Sequence, residues 1–266
     1  ETEKPSLFVL DVLEQDINTS YMKAIKISGC PVIAITDDSN HRVIDADLII
    51  NGNPKQFGQD YSGESGRYLL GPMFFLMDSA YGNIEVKKPG GDIEKILLTF
   101  GGSDHNDLLF RVLNTLEKMK RKLSVLVITS KASEYVEELQ EYLRQLTIPA
   151  ECFLDVDSLA LYWGQCDLAI TAAGNTLFER IAVRLPGATL CQLRRQMEIA
   201  DCFESMNVNV NFGLGQNIPD HVLYKRISDF IDDNKRHRLQ YQETQMVLDG
   251  NGLNRLKDEV KLLLKV

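Results

Sequence analysis

Short apolar runs alternate with longer segments of helical period along most of this chain, and that alternation limits the fold more than any other feature of the sequence. Leu7-Phe8-Val9-Leu10 reads as a strand and 20–28 as the helix behind it, with further strands at Val32-Ile33-Ala34-Ile35 and Leu48-Ile49-Ile50. The pattern returns with Ile96-Leu97-Leu98-Thr99-Phe100, helices near 107–120 and 133–145, and strands at 124–129, 151–154, 168–171 and 188–190. Apolar strands separated by helices of roughly 10–15 residues predict βαβ units and an α/β fold with parallel sheets. Past Pro219 the periodicity predicts helices only, at 220–232, 236–248 and 253–264.

Residues 85–92 hold two lysines, Pro89 and the Gly90-Gly91 pair with no apolar period, and mark the expected linker. They divide the chain into an N-terminal domain, 1–85, and a C-terminal domain, 93–266. A formal net charge of −9 argues against nucleic acid or anionic membranes as partners. No apolar run reaches the roughly 18 residues that a bilayer crossing needs, so no membrane insertion is expected. The five cysteines, Cys30, Cys152, Cys166, Cys191 and Cys202, are odd in number and lack CxxC spacing. Free thiols in a cytoplasmic setting are the expectation. The opening Glu1-Thr2-Glu3-Lys4-Pro5 has no initiator Met, as in a piece of something longer.

Three segments carry candidate chemistry. Thr99-Phe100-Gly101-Gly102-Ser103-Asp104 runs from a strand through paired glycines into a helix, where ligands of open parallel sheets bind. It is equally a tight turn with Ser103 or Asp104 as helix cap. In Asp167-Leu168-Ala169-Ile170-Thr171-Ala172-Ala173-Gly174-Asn175-Thr176-Leu177-Phe178-Glu179 a strand ends in small residues and opens a helix. Its free first-turn N–H groups suit a diphosphate, with Thr176 as an added donor and Glu179 placed to accept ribose hydroxyls. Against this, Thr176-x-x-Glu179 also spells a capping box. Leu193-Arg194-Arg195-Gln196 reads as a loop before a helix at 198–206, its polar groups facing phosphate, sugar or solvent. His41, His105, His221 and His237 are scattered, without metal spacing.

Thr99–Asp104, Asp167–Glu179, Gln196 and Phe212-Gly213-Leu214-Gly215 together resemble the UDP-sugar hydrolase of the pseudaminic acid pathway and the related spore-coat polysaccharide biosynthesis proteins. The likeness extends through Val9-Leu10-Asp11, Thr36-Asp37-Asp38, 46–51, Leu69-Leu70-Gly71-Pro72 and Asp249-Gly250-Asn251-Gly252. It implies a GT-B-like fold of two Rossmann-like, doubly wound parallel-sheet domains, the N-terminal one truncated, with UDP or UDP-sugar as ligand and no cofactor. Nucleotide contacts then fall on Gly101, Gly102, Ser103, Phe153, Leu154, Ala173, Gly174, Asn175, Thr176 and Glu179, with Gln196 on the sugar side. Of these, Glu179 matches the ribose carboxylate, and the segment beginning at Phe153 matches the loop whose backbone reads the base.

The departures concern catalysis. No segment matches the hydrolases' glycine-rich loop with its catalytic His, and Asp11-Val12-Leu13 stands where that family has Asp-x-Tyr. Catalytic residues are therefore unassigned. The resemblance leaves a nucleotide-sugar hydrolase or transferase, a non-catalytic binding module serving a fused or associated sugar-biosynthesis enzyme, and an interaction domain that has lost its ligand.

Overall fold

The apolar runs do form strands, and every strand pair among the described residues is parallel. The computed structural model describes residues 5–11, 19–38, 45–61, 66–102, 104 and 107–265. It divides into two compact units, Glu1–Ser79 with Gly250–Val266, and Ala80–Asp249.

In the first unit, β1 (Phe8–Asp11), β2 (Val32–Thr36), β3 (Leu48–Asn51) and β4 (Arg67–Leu70) form a sheet in chain order, with α1 (Thr19–Ile27) between β1 and β2. Leu10, Met22, Ile25, Val32 and Ile49 share one apolar cluster, and Ile33, Leu48, Ile50 and Leu69 another. The last helix, α9 (Gly252–Leu264), belongs here and not with the C-terminal domain, where the single division at 85–92 puts it. Leu256, Val260 and Leu263 pack on the Ile33–Leu48–Ile50–Leu69 cluster, Arg255 donates to the Met73 carbonyl at 2.9 Å, and Arg67 pairs with Glu259 at 2.7 Å.

The second unit winds outward from its centre. Its strands β5 (Lys95–Thr99), β6 (Ser124–Thr129), β7 (Ala150–Leu154), β8 (Leu168–Thr171), β9 (Gly187–Cys191) and β10 (Val210–Leu214) lie in the order β10-β9-β8-β5-β6-β7. The connecting helices are α2 (Leu108–Met119), α3 (Val136–Gln145), α4 (Ala160–Trp163), α5 (Asn175–Ala182) and α6 (Arg194–Ser205), followed by α7 (Asp220–Asp232) and α8 (Asn234–Val247). Interior strands of such a sheet are covered on both faces, which is why β5, β6 and β8 read as unbroken apolar runs rather than alternating ones. Ile96, Leu97 and Leu98 are fully buried. No described helix is long and apolar enough to cross a membrane.

Residues 85–92 fall inside the second unit and are fastened to it. Asp167 accepts from Lys87 at 2.8 Å and from the Glu94 and Lys95 amides at 2.9 and 3.0 Å. Burial alone pushes the Asp167 carboxyl up, but these donors outweigh it and hold it below the ordinary aspartate range. The first residue of the long candidate segment therefore serves structure.

Gly252 opens α9 directly against the Phe74–Phe75 backbone, and a β-carbon there would collide with the Phe75 carbonyl oxygen. Gly252→Ala is expected to cost about 1–3 kcal/mol by lifting α9 from its sheet. Urea unfolding of the variant against the parent measures this, and an unchanged midpoint would contradict the packing.

Candidate functional site

The chain reverses its direction of winding between β5 and β8, which lie side by side with Thr99 opposite Thr171. From β5 the chain goes on to β6 on one flank, and from β8 to β9 on the other. The loops leaving these two strand ends diverge, and in open parallel sheets such a switch point is where ligands bind. Both glycine-bearing turns singled out by sequence leave from this point.

On the β5 side, Gly101 has a left-handed backbone, φ +78°, and its α-carbon faces open space. Gly102 packs against Ser130, and its carbonyl accepts from the Ser133 hydroxyl at 2.8 Å. The Gln192 side chain donates to the Phe100 carbonyl at 2.6 Å and fixes the base of the turn. Buried Asp104 accepts from the Leu109 amide at 2.7 Å in the first turn of α2, but the N-cap position is Asp107, with a left-handed backbone, φ +52°, and not Asp104 as the turn reading expects. Ser103 and His105 lie outside the described residues.

On the β8 side, Ala172 and Ala173 are buried, and α5 begins at Asn175 with Gly174 as an extended N-cap. No side chain caps this terminus, and the Gly174 α-carbon faces open space. Because Asn175 is the first helical residue, Thr176 is the second and Glu179 the fifth. The capping-box alternative fails, since it needs the cap at 176 and the carboxylate three residues on. Glu179 is half-buried, with Oε2 shielded and without a hydrogen-bond partner. Burial pushes its carboxyl up to about 7, opposed in part by hydrogen bonding from the Tyr81 hydroxyl.

Arg180, next on the helix, is fully buried. Its guanidinium donates to the carbonyls of Leu185 and Val208 at 2.9 and 3.3 Å and to Asn209 Oδ1 at 2.9 Å, and burial pushes its pKa down to about 9. It ties α5 to the segments before β9 and β10.

The remaining candidates stand further out. Phe153 and Leu154 end β7, two strands from β5, with the Phe153 ring against Tyr162 at 4.8 Å between centroids. Asp155 follows with a left-handed backbone, φ +49°, and accepts from the Ser130 hydroxyl and the Lys131 amide, both at 2.9 Å. Gln196 follows β9, but its Oε1 accepts from the Gln192 and Leu193 amides at 2.8 and 3.4 Å. One end of that amide thus holds the helix start, while its nitrogen has no partner among the described residues. That helix, α6, starts at Arg194, not near 198, so Arg194 and Arg195 are exposed first-turn residues and not a loop. Tyr81, in the 3-10 turn Ser79–Asn83, carries no motif that would single it out in the sequence, yet it is buried beside Glu179 with its hydroxyl 3.3 Å from Ser158 Oγ.

No protein-family model matches the chain. The spore coat polysaccharide biosynthesis protein SpsG of Bacillus subtilis strain 168 is 24% identical over 264 residues, covering 96% of this chain and 76% of that one. Among solved structures, the glycotransferase of kitacinnamycin superposes with a TM-score of 0.65 at 15% identity, over 98% of this chain and 76% of that one. The spinosyn rhamnosyltransferase SpnG complexed with thymidine diphosphate gives 0.60 at 13% identity, over 96% and 73%. The fold is that of the GT-B glycosyltransferases, with two Rossmann-like units.

A carboxyl whose folded pKa is raised favours folding in its protonated form. That contribution is complete below the ordinary glutamate range and is lost as pH rises through about 7. Glu179→Gln keeps the shape without the charge. Its gain in melting temperature over the parent is expected to be small at pH 5 and larger at pH 8. Calorimetric scans at both values test this, and equal gains would count against the buried carboxyl.

Proposed function

We propose that the second unit binds the nucleoside diphosphate part of a sugar nucleotide, UDP or a UDP-sugar, for transfer or hydrolysis at the sugar–phosphate bond. The setting we infer is the biosynthesis of surface polysaccharide or nonulosonic acid. One observation carries the reading: an uncapped helix N-terminus, flanked by small residues, opens beside the switch point of the sheet. Its free amides and the positive end of the α5 dipole suit a diphosphate. The same donors would stabilise the charge that collects on the departing UDP when the anomeric C–O bond breaks. Glu179, one turn further on, supplies acceptors for the ribose, Gly101 and Gly102 form the opposite wall, and Gln196 lies toward the sugar. The likeness to a structure complexed with thymidine diphosphate supports the ligand class.

A second reading is a binding module that holds the nucleotide at the same helix N-terminus and serves a fused or associated sugar-biosynthesis enzyme. Phosphorus NMR of UDP-sugars incubated with the protein separates the two, since only the first yields free UDP.

Gly174 permits a test in which stability and binding move in opposite directions. Its backbone is extended and its α-carbon faces open space, so an Asp fits there as a better N-cap. Gly174→Asp is expected to add about 0.5 kcal/mol of stability while a carboxylate in the phosphate position abolishes measurable UDP binding. Glu179→Ala is expected to weaken UDP by about 1.5–3 kcal/mol. Calorimetric titration reads both, and UDP bound equally by the parent and by Gly174→Asp would sink the assignment.

A further inference from the structure

We propose that Gln192 is a positioning residue of the diphosphate site, tying the glycine turn after β5 to the start of α6 across the end of β8. The inference rests on the reading of the second unit as a nucleotide site. Gln192 is the first residue beyond β9, and it is buried. Its side-chain amide donates to the Phe100 carbonyl at 2.6 Å, and its backbone amide donates to Gln196 Oε1 at 2.8 Å.

Phe100 is the first residue beyond β5, and β8 lies between β5 and β9. The ladders join β5 to β8 and β8 to β9, so backbone pairing links the two outer strands only through the middle one. Two strand spacings of about 4.8 Å each separate the chains that Gln192 connects, a span for a long side chain. The contact passes the exit of β8, where Ala172 and Ala173 lead to the α5 terminus. There the Ala172 amide donates to the Thr99 carbonyl at 3.2 Å. The glycine wall, the diphosphate turn and the Gln196 segment are thereby joined in one hydrogen-bonded set.

Successive carbonyls of an extended strand face opposite edges. The Thr99 carbonyl faces β8, so a continued strand would turn the Phe100 carbonyl toward β6. Gln192 holds it on the β8–β9 side instead. A peptide group is planar and trans, so fixing this carbonyl also fixes the direction of the Gly101 N–H, a donor of the glycine wall. The same bond engages an oxygen whose partial negative charge would otherwise oppose a phosphate nearby. Gly101, at φ +78°, is a glycine and could leave this setting at little cost without the tether. Holding a binding group in place beforehand removes an ordering cost from association.

The test titrates UDP and UMP calorimetrically into the parent, Gln192→Met and Gln192→Asn, with weak UMP binding read by its displacement of UDP. Met fills the same space without a donor. Asn keeps the amide but ends a methylene short of Phe100, which covers the case of a poorly folded Gln192→Met. Either variant is expected to weaken UDP about tenfold and UMP, which lacks the second phosphate, about twofold or less. A purely structural glutamine would cost both ligands alike. UDP affinity unchanged in both variants while Gly174→Asp abolishes it overturns the Gln192 role alone. Equal weakening of UDP and UMP overturns it as well. A parent that binds no UDP overturns both this role and the nucleotide site.

Discussion

The pairing of β5 with β8 is the constraint from which the candidate site follows. The interior strands β5, β6 and β8, covered on both faces, are apolar along their length, so polar chemistry falls at their ends. Ile96, Leu97 and Leu98 pair with Leu168, Ala169 and Ile170, and the polar pair Thr99 and Thr171 closes the ladder at its carboxyl end. Just beyond that pair the chain leaves in opposite directions. Among the described residues no side chain caps the amides that open α5. The position of the site is a consequence of strand order before it is a consequence of any particular side chain.

The helix rising from this gap carries two ionisable groups in succession, and their different fates show how it is held. Successive residues on a helix point about 100° apart. Glu179 therefore meets the site while Arg180 enters the core. Among the described residues the guanidinium finds no carboxylate there, but neutral acceptors at 185, 208 and 209. Such acceptors solvate a charge as oriented dipoles and also fix where it sits. Gly187 gives way to it: a β-carbon at that position would lie 2.6 Å from the Arg180 side chain. The cation thus anchors the helix and leaves its first turn free for a ligand.

Much of this was legible beforehand, for identifiable reasons. Buried parallel strands such as Leu168–Thr171 are apolar without interruption, and the turns after them need small residues, so both leave marks on the sequence. The starts of less regular elements do not. β4, with Arg67 and Tyr68, and β10, with Asn211 and Gly213, mix polar residues into short edge or near-edge strands and show no clear period. α6 begins four residues early because Gln196 folds back to hold its own helix start, a contact that composition cannot reveal. Tyr81 was invisible because its hydroxyl meets Ser158, 77 positions away, from a segment whose pattern resembles a linker. The return of α9 to the first sheet was hidden for the same reason: its apolar stripe shows that it packs, not on what.

That return has a consequence for synthesis on the ribosome. Chains are made from the N-terminus, and domains fold as units while the rest is still being added. Residues 80–249 contain every strand and helix of the second unit, which can therefore close as soon as they emerge. The first unit, made earlier, must wait with the Ile33–Leu48–Ile50–Leu69 face uncovered until Leu256, Val260 and Leu263 arrive. The part that begins first finishes last, and for that interval its bare sheet face depends on delay, or on chaperones, to avoid the wrong partner.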